Sequence, residues 1–275
     1  MKSAGDNYNE LRDKTISDFG HQWTTYTEND GFYGSVELLE DILYPFIIKS
    51  EIIGSSLAEI GSGSGRIVGM FSQAGASKIT AIEPSEAIDV LRKNTEGLTA
   101  RVECVHATGE VIASLGPFDL IVSIGVLHHI PDPDPVVRAA LKALKPNGKF
   151  LVWLYGEEGN ELYLMLLRPL RYITSNLPRF LLPVLTWMLY LPLWLYIKLC
   201  RFIPLPLSDY MVNVIGKMSP DKQRLVIYDQ LNPAYAKYYT SAEAKQLLLQ
   251  AGFDRVKLHH RRGYSWTVIG SKPEC

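Results

Sequence analysis

The densest run of potential chemistry reads Leu57-Ala58-Glu59-Ile60-Gly61-Ser62-Gly63-Ser64-Gly65. A strand that runs into small residues and then a helix brings backbone N–H groups close to a ligand and aims a helix N-terminus at it. A nicotinamide-type fingerprint needs a small residue after the third glycine, and Arg66 stands there. The Glu59 carboxylate at the strand end repels a pyrophosphate and favours a cationic group such as an ammonium. Glu83 ends the next apolar run, 22 residues after Gly61. A carboxylate at that place accepts both hydroxyls of a ribose in short, charge-assisted bonds.

A second cluster, His128 and His129, follows the apolar run 118–124, at the sheet edge where open α/β sheets bind ligands. Either imidazole is a candidate general base toward a hydroxyl. The alternative is that one orients the turn while the other is solvated. In Phe19-Gly20-His21-Gln22-Trp23-Thr24-Thr25-Tyr26, Trp23 and Tyr26 fall three apart on one helical face, with His21 nearby. Tyr155 and Glu157 sit at the end of the fifth strand and are candidates for lining an acceptor pocket. Arg261 and Arg262 offer two cations to an acidic acceptor, or form a solvated turn. No His/Cys/carboxylate group has metal-ligand spacing, so no metal is expected. Cys104, Cys200 and Cys275 are odd in number and far apart, which fits a reducing compartment.

These residues need a scaffold. The 275 residues, 47% hydrophobic and 21% charged, exclude wholesale disorder and suggest one large α/β domain with an elaboration. A net charge of −1 gives no support to a nucleic-acid partner. Apolar runs at 57–60, 78–82, 101–105, 118–124 and 149–154 alternate with helical patterns, as in a parallel sheet. Asp132 and Pro133 open a helix ending near Leu144, and Pro146-Asn147-Gly148 turns into the next strand. Thr240 and Glu243 form a capping box before a helix that Gly252 stops. Two strands follow, 253–259 and 265–270, and their short connection makes them antiparallel. The expectation is seven strands with helices on both faces. The N-terminus shows no apolar run of the secretory type.

The Glu59–Gly65 loop, Glu83, Phe118-Asp119-Leu120-Ile121-Val122, Gly125-Val126-Leu127-His128-His129-Ile130 and Leu144-Lys145-Pro146-Asn147-Gly148-Lys149 together resemble class I S-adenosylmethionine-dependent methyltransferases. The resemblance covers about residues 55–155. It implies a Rossmann-like sheet of order 3-2-1-4-5-7-6 and S-adenosyl-L-methionine as cofactor. Glu59 and the backbone of Gly61, Ser62, Gly63 and Gly65 would hold the methionine part, and Glu83 the ribose. Pro84, Ile124 and Gly125 complete the expected cofactor contacts. The family usually has an acidic residue after the third strand for the adenine amino group. Here the stretch offers Thr108, Gly109 and Glu110. The expected organisation is an N-terminal helical lid (1–50), a catalytic domain (51–159 and 239–275) and an apolar helical insertion (160–238).

Within the insertion, residues 180–197 carry no charge, and Pro183 and Pro192 interrupt the run. Residues 162–207 hold Arg168, Arg171, Arg179, Lys198 and Arg201 and no acid. One membrane crossing would separate the last two strands from the rest of the sheet. The insertion is therefore expected either to dock on an anionic membrane surface at the inner face, or to serve as a lid or dimer interface. The expected reaction is O-methylation of a glycan, glycolipid or other lipid-associated small molecule by a cytoplasmic enzyme. The alternatives are a quinone or prenyl-lipid acceptor, and a membrane-associated protein that binds the cofactor without turnover.

Overall fold

A computed structural model describes residues 4–174, 177–178 and 180–274; Arg179 and Cys275, named above, lie outside them. Seven strands, β1 (Ser56–Ile60), β2 (Lys78–Ile82), β3 (Arg101–Val105), β4 (Phe118–Ile124), β5 (Leu144–Tyr155), β6 (Asp254–Arg261) and β7 (Ser265–Ser271), form one sheet. Its order is β3-β2-β1-β4-β5-β7-β6, as the motifs imply. The first five strands run parallel, and β7 pairs antiparallel with both β5 and β6. The crossovers run one way from β1 to β2 and β3, and the other way through β4. A crevice therefore opens at the carboxyl ends of β1 and β4.

The helices are α1 (Ala4–Thr25), α2 (Val36–Leu43), α3 (Lys49–Ile52), α4 (Arg66–Gln73), α5 (Ile88–Thr95), α6 (Asp134–Ala143), α7 (Glu161–Thr174), α8 (Leu181–Cys200), α9 (Ser208–Asn213), α10 (Pro220–Leu231) and α11 (Ser241–Leu249). Successive strand residues face opposite ways and so feed two cores. Leu57, Leu120, Val122 and Ile124 pack with Leu39 and Leu43 of α2, Phe71 of α4 and Leu91 of α5. Ala58, Ile60 and Ile121 pack on the other face with Val137 of α6 and Leu248 of α11. A third, smaller core lies inside the insertion, where Leu164, Leu167 and Leu182 meet Tyr228 and Leu231.

Three local expectations change. Pro146-Asn147-Gly148 lies within β5, where the register shifts between the Phe118–Leu144 and Leu120–Lys149 pairs. Asn147, at φ +59°, takes the left-handed conformation and lets the strand resume after the irregularity. The helix placed at Asp132 starts at Asp134, and the Asp132 carboxylate accepts from Asp134 N at 3.3 Å. The prolines do not break α8. Pro183 falls in its first turn, where an N–H has no helical acceptor, and Pro192 costs one bond in a helix braced by α10. The Thr240–Glu243 capping box forms, and Gly252 follows α11 at φ +98°.

Candidate active site

The bend from β1 into α4 demands glycine. Gly61 and Gly63 hold φ of +80° and +52°. A Cβ on Gly61 would lie 2.5 Å from Val126 Cγ2, and one on Gly63 would meet Trp23 Nε1 at 3.0 Å. Gly61 N and Ser62 N both donate to Ile82 O, at 2.8 and 3.0 Å, and Gly63 N donates to Glu83 Oε2 at 2.8 Å. The loop is thus tied to the end of β2 by its own amides.

Glu83 is buried, and its Oε1 accepts from Ser85 N (3.0 Å) and Ser85 Oγ. That leaves a lone pair on Oε2 uncommitted. Glu59 is 1% exposed and its Oε2 has no hydrogen-bond partner. Burial pushes its carboxyl up to about 8. Both residues border a cavity of about 490 Å³, together with Gly61, Ser62 and Gly63. Pro84, Thr108, Gly109, Glu110, Ile124 and Gly125 also line it; Gly65 does not, and caps α4 at φ +83° behind the loop. A buried carboxyl with one oxygen unpartnered, beside a glycine cradle, fits a ligand with an ammonium group and a ribose. Among the described residues, no three His, Cys, Asp or Glu side chains are placed to hold a metal ion.

Helix α1 lies over this cleft. Arg12, Thr15, Ile16, Phe19 and Trp23 line the cavity at three- and four-residue steps, so they share one face. The chain after α1 is held to the glycine loop. Asn29 Nδ2 donates to Ser64 O (2.9 Å), Ser64 Oγ to Asn29 Oδ1 (2.8 Å) and Asn94 Nδ2 to Ser64 O (2.8 Å). Of the three α1-region residues expected at the site, only Trp23 reaches the cavity. His21 sits two residues from Phe19 and so projects from another side of the helix. Tyr26 lies beyond the last helical residue and packs on Tyr228, ring centroids 5.3 Å apart.

The two histidines part company. His129 lines the cavity, with its Nδ1 2.8 Å from Tyr235 O. A carbonyl oxygen can only accept, so Nδ1 carries the proton and Nε2 keeps its lone pair. Burial lowers its imidazole to about 4, against the opposing effect of Asp229. His128 is fully buried away from the cavity, its ring against Tyr155 at a centroid distance of 3.8 Å and both nitrogens unpartnered. Burial holds it well below its usual range, and it stands behind the cavity wall, packed on the rings of His129 and Tyr155.

Tyr155 lines the cavity as expected. Its hydroxyl donates to Asp229 Oδ2 (3.0 Å) and accepts from Gln230 Nε2 (2.7 Å). Gln22 Nε2 reaches Asp229 Oδ1 at 2.9 Å, and Tyr163 and Tyr238 donate to Gln230 Oε1 at 3.0 and 3.1 Å. This network was not read from the sequence, although the Asp229-Gln230 dipeptide sits just before Asn232-Pro233. Arg261 borders the cavity but is not a free cation. Its guanidinium meets the Asp41 carboxylate, its Nε donates to Asp41 O at 3.2 Å, and Nη1 donates to the Tyr264 hydroxyl. Arg262 is held by Asp41 and Asp209. Two carboxylates far away in sequence thus take the charge expected to meet an acceptor.

Much of the remaining wall is apolar: Leu167 and Leu170 of α7, Leu189 and Leu193 of α8 and Leu225 of α10 come from the insertion, and Leu38 and Ile42 from α2. The opposite faces of α7 and α8 are exposed. Leu166 is 70% exposed, Met188 70% and Leu191 67%, with Trp187 and Leu195 beside them. By length and composition α8 passes for a membrane span, and 17% of it is buried. Lys198 lies over the Trp194 ring at 5.5 Å and Arg224 over Trp187 at 3.7 Å. Arg171 turns inward, donating to Gln230 O at 2.8 Å.

Residues 58–152 match the family model described as a methyltransferase domain. The chain is 26% identical over 180 residues to the ubiquinone biosynthesis O-methyltransferase of Chromobacterium violaceum, covering 63% of this chain and 74% of that one. Against the protein of the same name from Pseudomonas aeruginosa it is 30% identical over 134 residues, 48% and 57% of the two chains. Two solved structures share the fold. They are the pyocyanin biosynthetic protein PhzM (TM-score 0.51, 13% identity) and the S-adenosylmethionine-dependent methyltransferase SibL in its apo form (TM-score 0.50, 18% identity). Each match covers 86% of this chain, and 55% and 56% of the other, so this chain spans little over half of either. Residues 58–152 are thus a methyltransferase domain, and the sheet order and the cleft at the end of β1 around it are those of class I S-adenosylmethionine-dependent methyltransferases.

Proposed function

We propose that this enzyme methylates a hydroxyl on the aromatic head of a prenyl-type lipid of the quinone-precursor class, taken from the cytoplasmic face of an anionic membrane. One observation carries the reading. A single cavity is polar at the glycine loop and around Asp229 and Gln230 and apolar along the leucines of α7 and α8, and those two helices expose their other faces to the outside. A ring bearing a hydroxyl suits the Tyr155–Asp229 end, and an apolar tail suits the leucines of α7 and α8. The names of the curated relatives support a quinone-type acceptor over a glycan.

Bound S-adenosylmethionine supplies a methyl carbon on a cationic sulfur, which an acceptor oxygen displaces in line. The chain's own residues do the rest. Glu59 meets the ammonium, Glu83 the ribose hydroxyls, and the Gly61–Gly63 backbone gives close approach. Pro84, Thr108, Gly109, Glu110, Ile124 and Gly125 enclose the adenosine part. Trp23 and Phe19 exclude water from above, and His129 receives the hydroxyl proton at Nε2.

The test uses methyl-labelled S-adenosylmethionine with a farnesylated hydroquinone in vesicles containing phosphatidylglycerol, and separately with a nucleoside-diphosphate sugar. Label in the extracted hydroquinone is expected. Label only in the sugar would overturn the acceptor class, and label in neither while the donor binds would favour a binding protein without turnover.

A further inference from the structure

We infer that Asp229, carried by α10 of the insertion, is a positioning residue for proton removal by His129, its carboxylate stabilising the imidazolium that forms as the acceptor loses its proton. The inference rests on the hydroxyl-acceptor reading above. Among the described residues that line the cavity, Asp229 is the carboxylate at the acceptor end; Glu59, Glu83 and Glu110 stand at the donor end.

Side chains from two elements, α1 and β5, fix the Asp229 carboxylate. Gln22 of α1 is fully buried, and its Oε1 accepts from Asn232 Nδ2 at 3.1 Å. That sets the orientation of the amide, so Nε2 must donate to Asp229 Oδ1. Tyr155 of β5 accepts from Gln230 Nε2, so its own proton goes to Asp229 Oδ2. Both carboxylate oxygens are acceptors, each with a donor committed to it by a further bond. Such a carboxylate holds its place when a charge appears nearby.

His129 is held as firmly. Its tautomer is set by Tyr235 O, and Phe19 of α1 packs on its ring at a centroid distance of 4.7 Å. Tyr155 joins the two residues along the cavity wall, its ring edge-on to His129 at 5.6 Å and its hydroxyl donating to Asp229 Oδ2 at 3.0 Å; His128 packs beside His129, and Arg171 of α7 is the nearby cation that acts on it. Arg171 disfavours the imidazolium and Asp229 favours it. A ring already depressed by burial is a poor base unless a neighbouring anion offsets that cost. In the transfer step the acceptor oxygen bonds to the methyl carbon, and the carbon–sulfur bond breaks with both electrons left on sulfur. The hydroxyl proton passes to His129 Nε2, and it returns to solvent when the product leaves. The insertion therefore supplies chemistry as well as an apolar wall.

Two readouts on the full-length chain test this. The first is nitrogen NMR of histidine-labelled protein bound to S-adenosylhomocysteine, titrated from neutral pH downward. His129 should protonate near 4 in the wild type. In Asp229→Asn the midpoint should fall by about half a unit or more. The second is turnover on the farnesylated hydroquinone. Asp229→Asn should lower kcat by roughly 10- to 100-fold, with donor affinity and acceptor KM within about threefold. Asp229→Glu keeps the charge and should recover both readouts in part. Asp229→Ser makes the same comparison if the amide is not accommodated. An unchanged midpoint overturns the role of Asp229 whatever the acceptor proves to be. A wild type that binds donor but leaves the hydroquinone untouched overturns the acceptor reading, and the titration still decides Asp229. Loss of donor affinity in step with kcat would make the residue structural and also overturn the inference.

Discussion

Glu59 shows how one side chain is shaped by the ligand it awaits. Its carboxyl lies at the end of a buried strand, and burial raises it from the usual 4.5 to about 8. Between those values the folded chain without donor holds a proton that the unfolded chain has released. Stability is then present in full at low pH and falls as pH rises from about 4.5 to about 8. Glu59→Gln removes that dependence, and at pH 8 it should stabilise the donor-free protein by on the order of a few kcal/mol, read from denaturant midpoints. A less stable variant at pH 8 would contradict this. Residues of this kind were legible in the sequence because the loop's conformation leaves almost no alternative: Gly61 and Gly63 hold backbone angles that other residues avoid. The place of Asp229 and the pairing of Arg261 with Asp41 were not. The partners that fix them, Gln22 and Asp41, lie about two hundred residues away in sequence, and no local spacing encodes that meeting.

At the level of elements, the positions of β1, β2 and β4 followed from apolar runs because these strands are covered on both faces and have little freedom in composition. The register slip in β5 was hidden, since Pro146-Asn147-Gly148 reads equally well as a turn and as an irregularity in a strand. The contact between the glycine loop and the segment after β4 is tight enough to test. Gly61→Ala drives a Cβ to 2.5 Å from Val126 Cγ2 on top of an unfavourable φ. It should cost about 2–4 kcal/mol and weaken S-adenosylhomocysteine binding at least tenfold. Val126→Ala added to it should restore part of that stability, because the steric term goes while the backbone term stays. If the double variant is no more stable than the single one, Val126 is not the obstacle. Helix α8 also needed the structure. Its prolines suggested breaks, yet one lies where a helix tolerates it and the other is carried by packing on α10.

Across the whole molecule, three pieces separated in sequence close one chamber: α1 from above, the sheet from below and α7 to α10 from the side. Composition alone announced the apolar insertion but left open whether its aromatics are covered within the chain. Several are not: Trp187 and Trp194 face outward, beside the exposed Met188, Leu191 and Leu195. A surface of this kind next to Lys198 and Arg201 should bring the protein to vesicles containing phosphatidylglycerol, and less to neutral ones. Replacing Trp187, Leu191 and Leu195 together by Glu should abolish flotation while leaving donor affinity within about threefold, since these side chains lie away from the cleft. Flotation that survives the triple change would place the lipid contact elsewhere.

Every part of this account depends on the Glu59–Gly63 bend being the seat of a cationic methyl donor. Titration calorimetry of the full-length chain with S-adenosylmethionine, run at pH 7 in buffers of different ionisation enthalpy, tests that most directly. The predicted result is one site that releases close to one proton on binding, as the ammonium draws Glu59 into its charged form. In Glu59→Gln the release should vanish and affinity should fall by about tenfold or more, roughly 1.4 kcal/mol. Binding of equal strength and equal proton release in wild type and Glu59→Gln would contradict it, as would no uptake by the folded wild-type protein.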